Sequence, residues 1–161
     1  MAPSNQLRQG ILYAIRLLAV TKRSTEELAN RLALKGYPTG VIEEILTRLK
    51  HQGVLNDWKL VQQTVDHAIG VRRWGKRRIR FALEAKGLDS ALVEEALARD
   101  PLEAEHTRAL ELARERWQKW AAVGVKKRQK KLYDFLVHRG YSYDLCRQIA
   151  SRMTKDSDEG F

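Results

Sequence analysis

The chain has 161 residues, of which 43% are hydrophobic, 31% are charged and three are prolines, a composition that can bury a core and excludes a chain disordered throughout. Its single cysteine excludes an internal disulfide framework, and no apolar run approaches the roughly 18 residues of a membrane span, so no signal peptide or anchor is expected and the expected location is cytoplasmic. The net charge of +10 is unevenly spread: residues 71–131 hold seventeen Lys and Arg against nine Asp and Glu, which points to a polyanionic or acidic partner for that segment.

Leu7, Ile11, Ala14, Ile15 and Leu18 have helical spacing and predict a first helix over residues 6–20. Ser24-Thr25-Glu26-Glu27 is a capping box that opens helix two. Helix three follows Pro38 and Thr39, buries Val41, Ile42 and Ile45, and stops at Gly53. Asn56-Asp57 caps a fourth helix with the inward stripe Trp58, Val61, Val65, Ala68 and Ile69, so Trp58 reads as core. Gly70, Trp74 and Gly75 break the chain before helix five.

Projecting residues 76–86 at the helical period puts Ile79, Ala82 and Leu83 on one face and Arg77 and Arg80 on the other, with Lys76 between them. Phe81 falls among the basic residues, either packing against an adjacent repeat or anchoring a partner. Arg72, Arg73, Lys76, Arg77, Arg78 and Arg80 crowd nine positions and Glu84 is the first acid after them, so the cluster reads as a contact patch. Helix six spans about residues 90–99, and Asp100-Pro101 ends it and opens helix seven. The expected apolar face of helix seven is Leu102, His106, Ala109, Leu110, Ala113, Trp117 and Trp120. After a turn at Gly124, Lys126, Lys127, Lys130 and Lys131 form a second basic face opposite Leu132, Phe135 and Leu136, while Arg128 snorkels at the helix start. Leu145, Cys146 and Ile149 bury the last helix, which makes Cys146 a core residue, and residues 154–161 are expected to form a flexible tail.

Three stretches align on Gly36, Gly87 and Gly140, spaced by 51 and 53 residues. Each glycine follows a cation (Lys35, Lys86, Arg139) and a leucine four residues earlier (Leu32, Leu83, Leu136), the pattern of a helix C-terminus closed by a residue with positive φ. Arg48, Arg99 and Arg152 recur twelve residues after each glycine. The predicted fold is therefore all-α, a single domain built as an elongated tandem array of three three-helix repeats at about 6–53, 54–100 and 101–153. Catalytic and metal patterns are missing: His51, His67, His106 and His138 are scattered, and Glu26/Glu27, Glu43/Glu44 and Glu94/Glu95 sit in first helical turns where the dipole favours them. No enzyme activity, cofactor or metal is expected.

The succession Ser24, Glu27-Leu28, Leu32, Lys35-Gly36-Tyr37, Gly53-Val54-Leu55-Asn56-Asp57, Gly75, Arg78-Ile79, Leu83, Lys86-Gly87-Leu88, Leu136 and Arg139-Gly140-Tyr141-Ser142 resembles the bacterial RecX family over nearly the whole chain. The chain departs from that family's pattern at Asn56, where a second acid is usual, at Leu60, where an aromatic is usual, and at Ala82, where Glu is usual. The resemblance implies three three-helix repeats and a non-enzymatic regulator of the RecA recombinase. Such a protein binds the RecA-DNA filament in its groove, in most cases inhibits it, and so bears on recombination, DNA repair and the SOS response. The partners expected are the RecA filament and single- and double-stranded DNA without sequence preference, with the protein a monomer. The competing reading is an autonomous helix-turn-helix DNA-binding protein; it is disfavoured because the helices that carry the basic clusters precede the glycine turn instead of following it.

Overall fold

The structure is a computed structural model that describes residues 3–158. Among the described residues there are nine α-helices and no strand: α1 (Pro3–Val20), α2 (Thr25–Leu34), α3 (Thr39–His51), α4 (Asp57–Gly70), α5 (Lys76–Glu84), α6 (Ser90–Ala98), α7 (Leu102–Lys119), α8 (Val125–His138) and α9 (Tyr143–Asp158). The capping box forms at α2, where Ser24 Oγ accepts the Glu27 amide at 3.1 Å and Glu27 Oε2 accepts the Ser24 amide at 2.9 Å.

The repeat glycines close α2, α5 and α8 in one way. Gly36, Gly87 and Gly140 have φ of 94°, 69° and 92°, a conformation that strains a residue bearing a Cβ. The amide after each glycine donates to the carbonyl of the repeat leucine: Tyr37 to Leu32 at 3.2 Å, Leu88 to Leu83 at 3.4 Å and Tyr141 to Leu136 at 3.2 Å. The glycine amides themselves donate to Ala33, Glu84 and Val137 at 2.9 to 3.0 Å, completing three Schellman caps. All three leucines are fully buried, so cap and core are made by the same residue.

The described chain divides into two compact units, Met1–Thr64 with Leu83–Val93, and Val65–Ala82 with Glu94–Phe161. In the first, Ala14 of α1, Leu28 and Leu32 of α2, and Ile42, Ile45 and Leu49 of α3 form the core with Leu55. Here Ser24 Oγ donates to the Lys86 carbonyl, fastening the start of α2 to the Lys86-Gly87 turn. In the second unit, Ala109, Leu112, Ala113 and Trp117 of α7 pack with Leu132 and Leu136 of α8, Tyr141, and Cys146, Ile149 and Met153 of α9. Cys146 is fully buried, as expected of a core cysteine, and burial pushes its thiol up to about 11.

The buried face of α7 differs from the expected one. Leu102 is 73% exposed and His106 is exposed, while Glu105 and Arg108 are buried with Ala109, Leu112, Ala113 and Trp117. Partners make this possible: Glu105 Oε1 accepts the Lys76 amide at 2.9 Å, and Arg108 forks onto Asp100 at 2.9 and 3.3 Å. Two further expectations are corrected. Trp58 is only half-buried. Residues 154–158, expected in a tail, continue α9, because Met153 is buried in the core and Ser157 Oγ accepts the Trp117 indole N–H at 2.9 Å; residues 159–161 lie outside the described part of the chain.

Candidate nucleic-acid interface

Residues 72–75 turn the chain out of α4 and into α5. Arg73 has φ 54°, uncommon for a residue with a Cβ, and it is bracketed by two bonds. Tyr141 Oη donates to the Arg73 carbonyl at 2.8 Å, and Arg139 Nη1 donates to the Arg72 carbonyl at 2.6 Å. Next, the Gly75 amide donates to the Arg139 carbonyl at 2.9 Å and the Arg77 amide to the Gly140 carbonyl at 3.0 Å. The start of α5 is thus fixed to the turn between α8 and α9.

This frame sends the six clustered cations to different partners. The Arg73 guanidinium meets Glu115 at 2.9 and 3.1 Å and Glu111 at 3.7 Å. Lys76 is half-buried and donates Nζ to the Asp100 carbonyl at 2.5 Å. Arg80 pairs with Glu94, Nη2 to Oε2 at 3.0 Å, and holds that carboxyl below the usual carboxylate range. Arg77 lies over the Tyr143 ring at 4.1 Å and donates to its hydroxyl at 3.0 Å. Arg72 and Arg78 both lie over the Trp74 ring, at 4.8 and 4.2 Å, and Arg78 also donates to the His138 carbonyl at 3.1 Å. Lys76, Arg77 and Arg80 share a helix face in projection but turn to three separate partners. The neutralising acids, Glu94, Glu111 and Glu115, come from α6 and α7 and are invisible to a reading along α5.

The cations that have no carboxylate partner among the described residues form another set. Arg72, Arg77 and Arg78 are joined by Arg116 of α7 and Arg139, whose guanidinium carbons lie 4.8 and 5.2 Å from the Phe135 ring centroid. Trp120 meets Phe135 edge-on at 6.0 Å, and Lys131 Nζ lies over Trp120 at 4.5 Å. On α8 and its cap, Lys127, Lys131, Phe135 and Arg139 recur every four residues and so line one side of the helix. Burial, then repulsion from Arg116 and Arg78, pulls the Arg139 pKa below its usual value. Lys126 and Lys127 are exposed, and Lys130 is tied to Asp134 at 2.6 Å. Arg128 lies over Trp117 at 4.0 Å and donates to its carbonyl, so its head turns onto the protein where snorkelling would place it in water. Phe81 is 76% exposed and Tyr143 is 50% exposed.

Sequence reasoning does not find Arg116, and it treats Arg139 only as the cation before a glycine. It also turns Phe135 inward, whereas the ring is half-buried against two guanidinium groups. The four-residue recurrence on α8 is the signal that locates the row. A guanidinium resting one face on an aromatic ring keeps its N–H edges for a planar or tetrahedral anion, so the row suits phosphates spaced along a strand.

Among the described residues no helix is long and apolar enough to cross a membrane, and no three His, Cys, Asp or Glu side chains group as metal ligands. Models of the first, second and third three-helix domains of RecX match residues 12–49, 56–97 and 103–149. The regulatory protein RecX of Clostridium perfringens strain 13 is 30% identical over 145 residues, covering 89% of this chain and 68% of that protein. Its counterpart in Streptomyces lividans is 26% identical over 98% of this chain and 84% of its own, and that of Mycobacterium sp. strain KMS is 30% identical over 91% and 82%. The crystal structure of RecX from Lactobacillus salivarius has the same fold, with a TM-score of 0.82 at 21% identity, covering 93% of this chain and 97% of the other.

Proposed function

The chain belongs to the RecX family of regulatory proteins, and from that premise we propose that it regulates the RecA recombinase by binding the RecA filament on DNA, chiefly as an inhibitor and without chemistry of its own. The observation that carries this reading is the row Lys127, Lys131 and Arg139 around the Phe135 ring, with Arg72, Arg78 and Arg116, cations without carboxylate partners among the described residues. Such a surface binds phosphates, which report no base sequence, so single- and double-stranded DNA are both partners. Phosphate contacts alone bind weakly at physiological salt. Affinity for a filament therefore needs protein contacts, for which Phe81, an exposed aromatic one residue beyond Arg80, is the apolar anchor.

The test is the DNA-dependent ATPase of RecA. The protein should lower it at concentrations too small to coat the DNA, and the variant K127E/K131E should lose the effect while keeping its helicity. ATPase activity indifferent to the wild-type protein would overturn the proposal.

A further inference from the structure

The first unit holds a basic cavity that the function above leaves unused. Its volume is about 200 Å³, and three cations line it, Lys22 and Arg23 in the link from α1 to α2 and Lys59 on the first turn of α4. None of its lining residues is acidic, and Leu18, Val54 and Leu60 give it an apolar wall. Arg23 makes no hydrogen bond or ion pair among the described residues, and its Nε is buried without a partner. A half-buried guanidinium without counter-charge is costly, and the nearby acids are committed elsewhere. Asp57 accepts the Thr25 amide at 2.8 Å, and Glu27 accepts the Ser24 amide at 2.9 Å and faces Lys86 at 3.7 Å. Lys22 donates Nζ to Gln63 Oε1, which holds the ammonium at the cavity with two protons still to give. Asn56 Oδ1 accepts the Lys59 amide at 2.9 Å, so the positive end of α4 lies at the same wall.

We infer that this cavity binds a phosphate group, supplied by the backbone of a nucleic-acid strand. Three cations, a helix start and no acid select an anion. The cavity is smaller than the roughly 300–1,000 Å³ of a small-molecule site, so it takes one group of a longer ligand rather than a whole cofactor. The apolar wall suits the sugar next to that phosphate. The site shares no residue with the α8 row, so either can fail without the other.

The experiment uses the full chain, the variant K22Q/R23Q/K59Q and, as reference, K127E/K131E. Inorganic pyrophosphate should shift the amide resonances of Lys22, Arg23 and Lys59 in the wild type and in K127E/K131E, but not in K22Q/R23Q/K59Q. For an oligothymidylate, the slope of log affinity against log salt should be shallower in K22Q/R23Q/K59Q by about 0.7 for each phosphate that the variant leaves unneutralised. Loss of the pyrophosphate response with an unchanged oligothymidylate slope would keep the phosphate site but overturn the strand as its source in favour of a free polyphosphate. Oligoglutamate shifting these amides where pyrophosphate does not would overturn the inference in favour of an acidic protein. Should the triple variant lose helicity, the wild-type response decides alone: no shift at the three residues overturns the site.

Discussion

Gly75 and Gly140 meet backbone against backbone: a Cβ on Gly75 would fall 2.4 Å from the Gly140 carbonyl oxygen, and a Cβ on Gly140 would fall 2.3 Å from Cβ of Arg78. In the first unit the Ser24 hydroxyl and the Lys86 carbonyl occupy the repeat positions that the Gly75 amide and the Arg139 carbonyl occupy in the second. Both donors stand twelve residues before their own repeat glycine, and both acceptors stand one residue before the next. One hydrogen bond is thus made twice, by a side chain in one unit and by bare backbone in the other.

The two glycine requirements separate on substitution. Gly36→Ala meets no neighbour within 4 Å and bears only the strain of its positive φ, about 1 kcal/mol. Gly75→Ala meets only the close approach, and Gly140→Ala meets both and should be the most destabilising, by about 3 kcal/mol. Denaturant unfolding in which Gly36→Ala costs as much as Gly140→Ala would contradict this assignment.

Leu32, Leu83 and Leu136 are fully buried at equivalent repeat positions. Each change to Ala should destabilise the protein by about 2–5 kcal/mol, through reduced apolar burial and the cavity left behind. Unfolding midpoints indistinguishable from wild type for all three would refute the repeat alignment.

Much of this was legible because it is local. The glycine, the cation before it and the leucine four residues earlier specify a cap whatever surrounds them, and the three copies reinforce one another. Burial of Glu105 and Arg108 was not legible, because charges on a helix read as solvent-facing until Lys76 and Asp100 are seen to satisfy them. Phe81 was legible as an outlier among basic residues but not as exposed. The cationic row was legible only in part: Lys127 and Lys131 stand out in the sequence, whereas Arg116 joins them from another helix.

Tyr141 gives a pH test. Its hydroxyl donates to the Arg73 carbonyl at 2.8 Å, and burial, partly opposed by Arg108, pushes the phenol up from 10.0 to about 12. The folded state holds this proton more tightly than the unfolded one, so the contribution is complete below pH 10 and is lost as pH rises from 10 to 12. The stability of wild type relative to Tyr141→Phe should therefore fall by about 2 kcal/mol across that interval. A difference that stays constant would show that the phenol ionises alike in both states.

Charge reversal on the α8 row should act on salt dependence as well as affinity. For K127E/K131E, binding to bare DNA should weaken equally for all base sequences, and the slope against log salt should drop by about 0.7–0.9 for each phosphate no longer neutralised. Gel-shift titrations over a salt series read both quantities, and weakening confined to one sequence would indicate base readout instead.

Regulation through the RecA filament predicts the outcome of titrating the protein onto RecA-coated and bare single-stranded DNA at physiological salt and again at higher salt. Buried protein contacts are screened less than exposed phosphate contacts, so the filament should bind more tightly and lose affinity less steeply as salt rises. Bare DNA of one particular sequence outcompeting the filament would contradict the account and make the chain an autonomous DNA-binding protein.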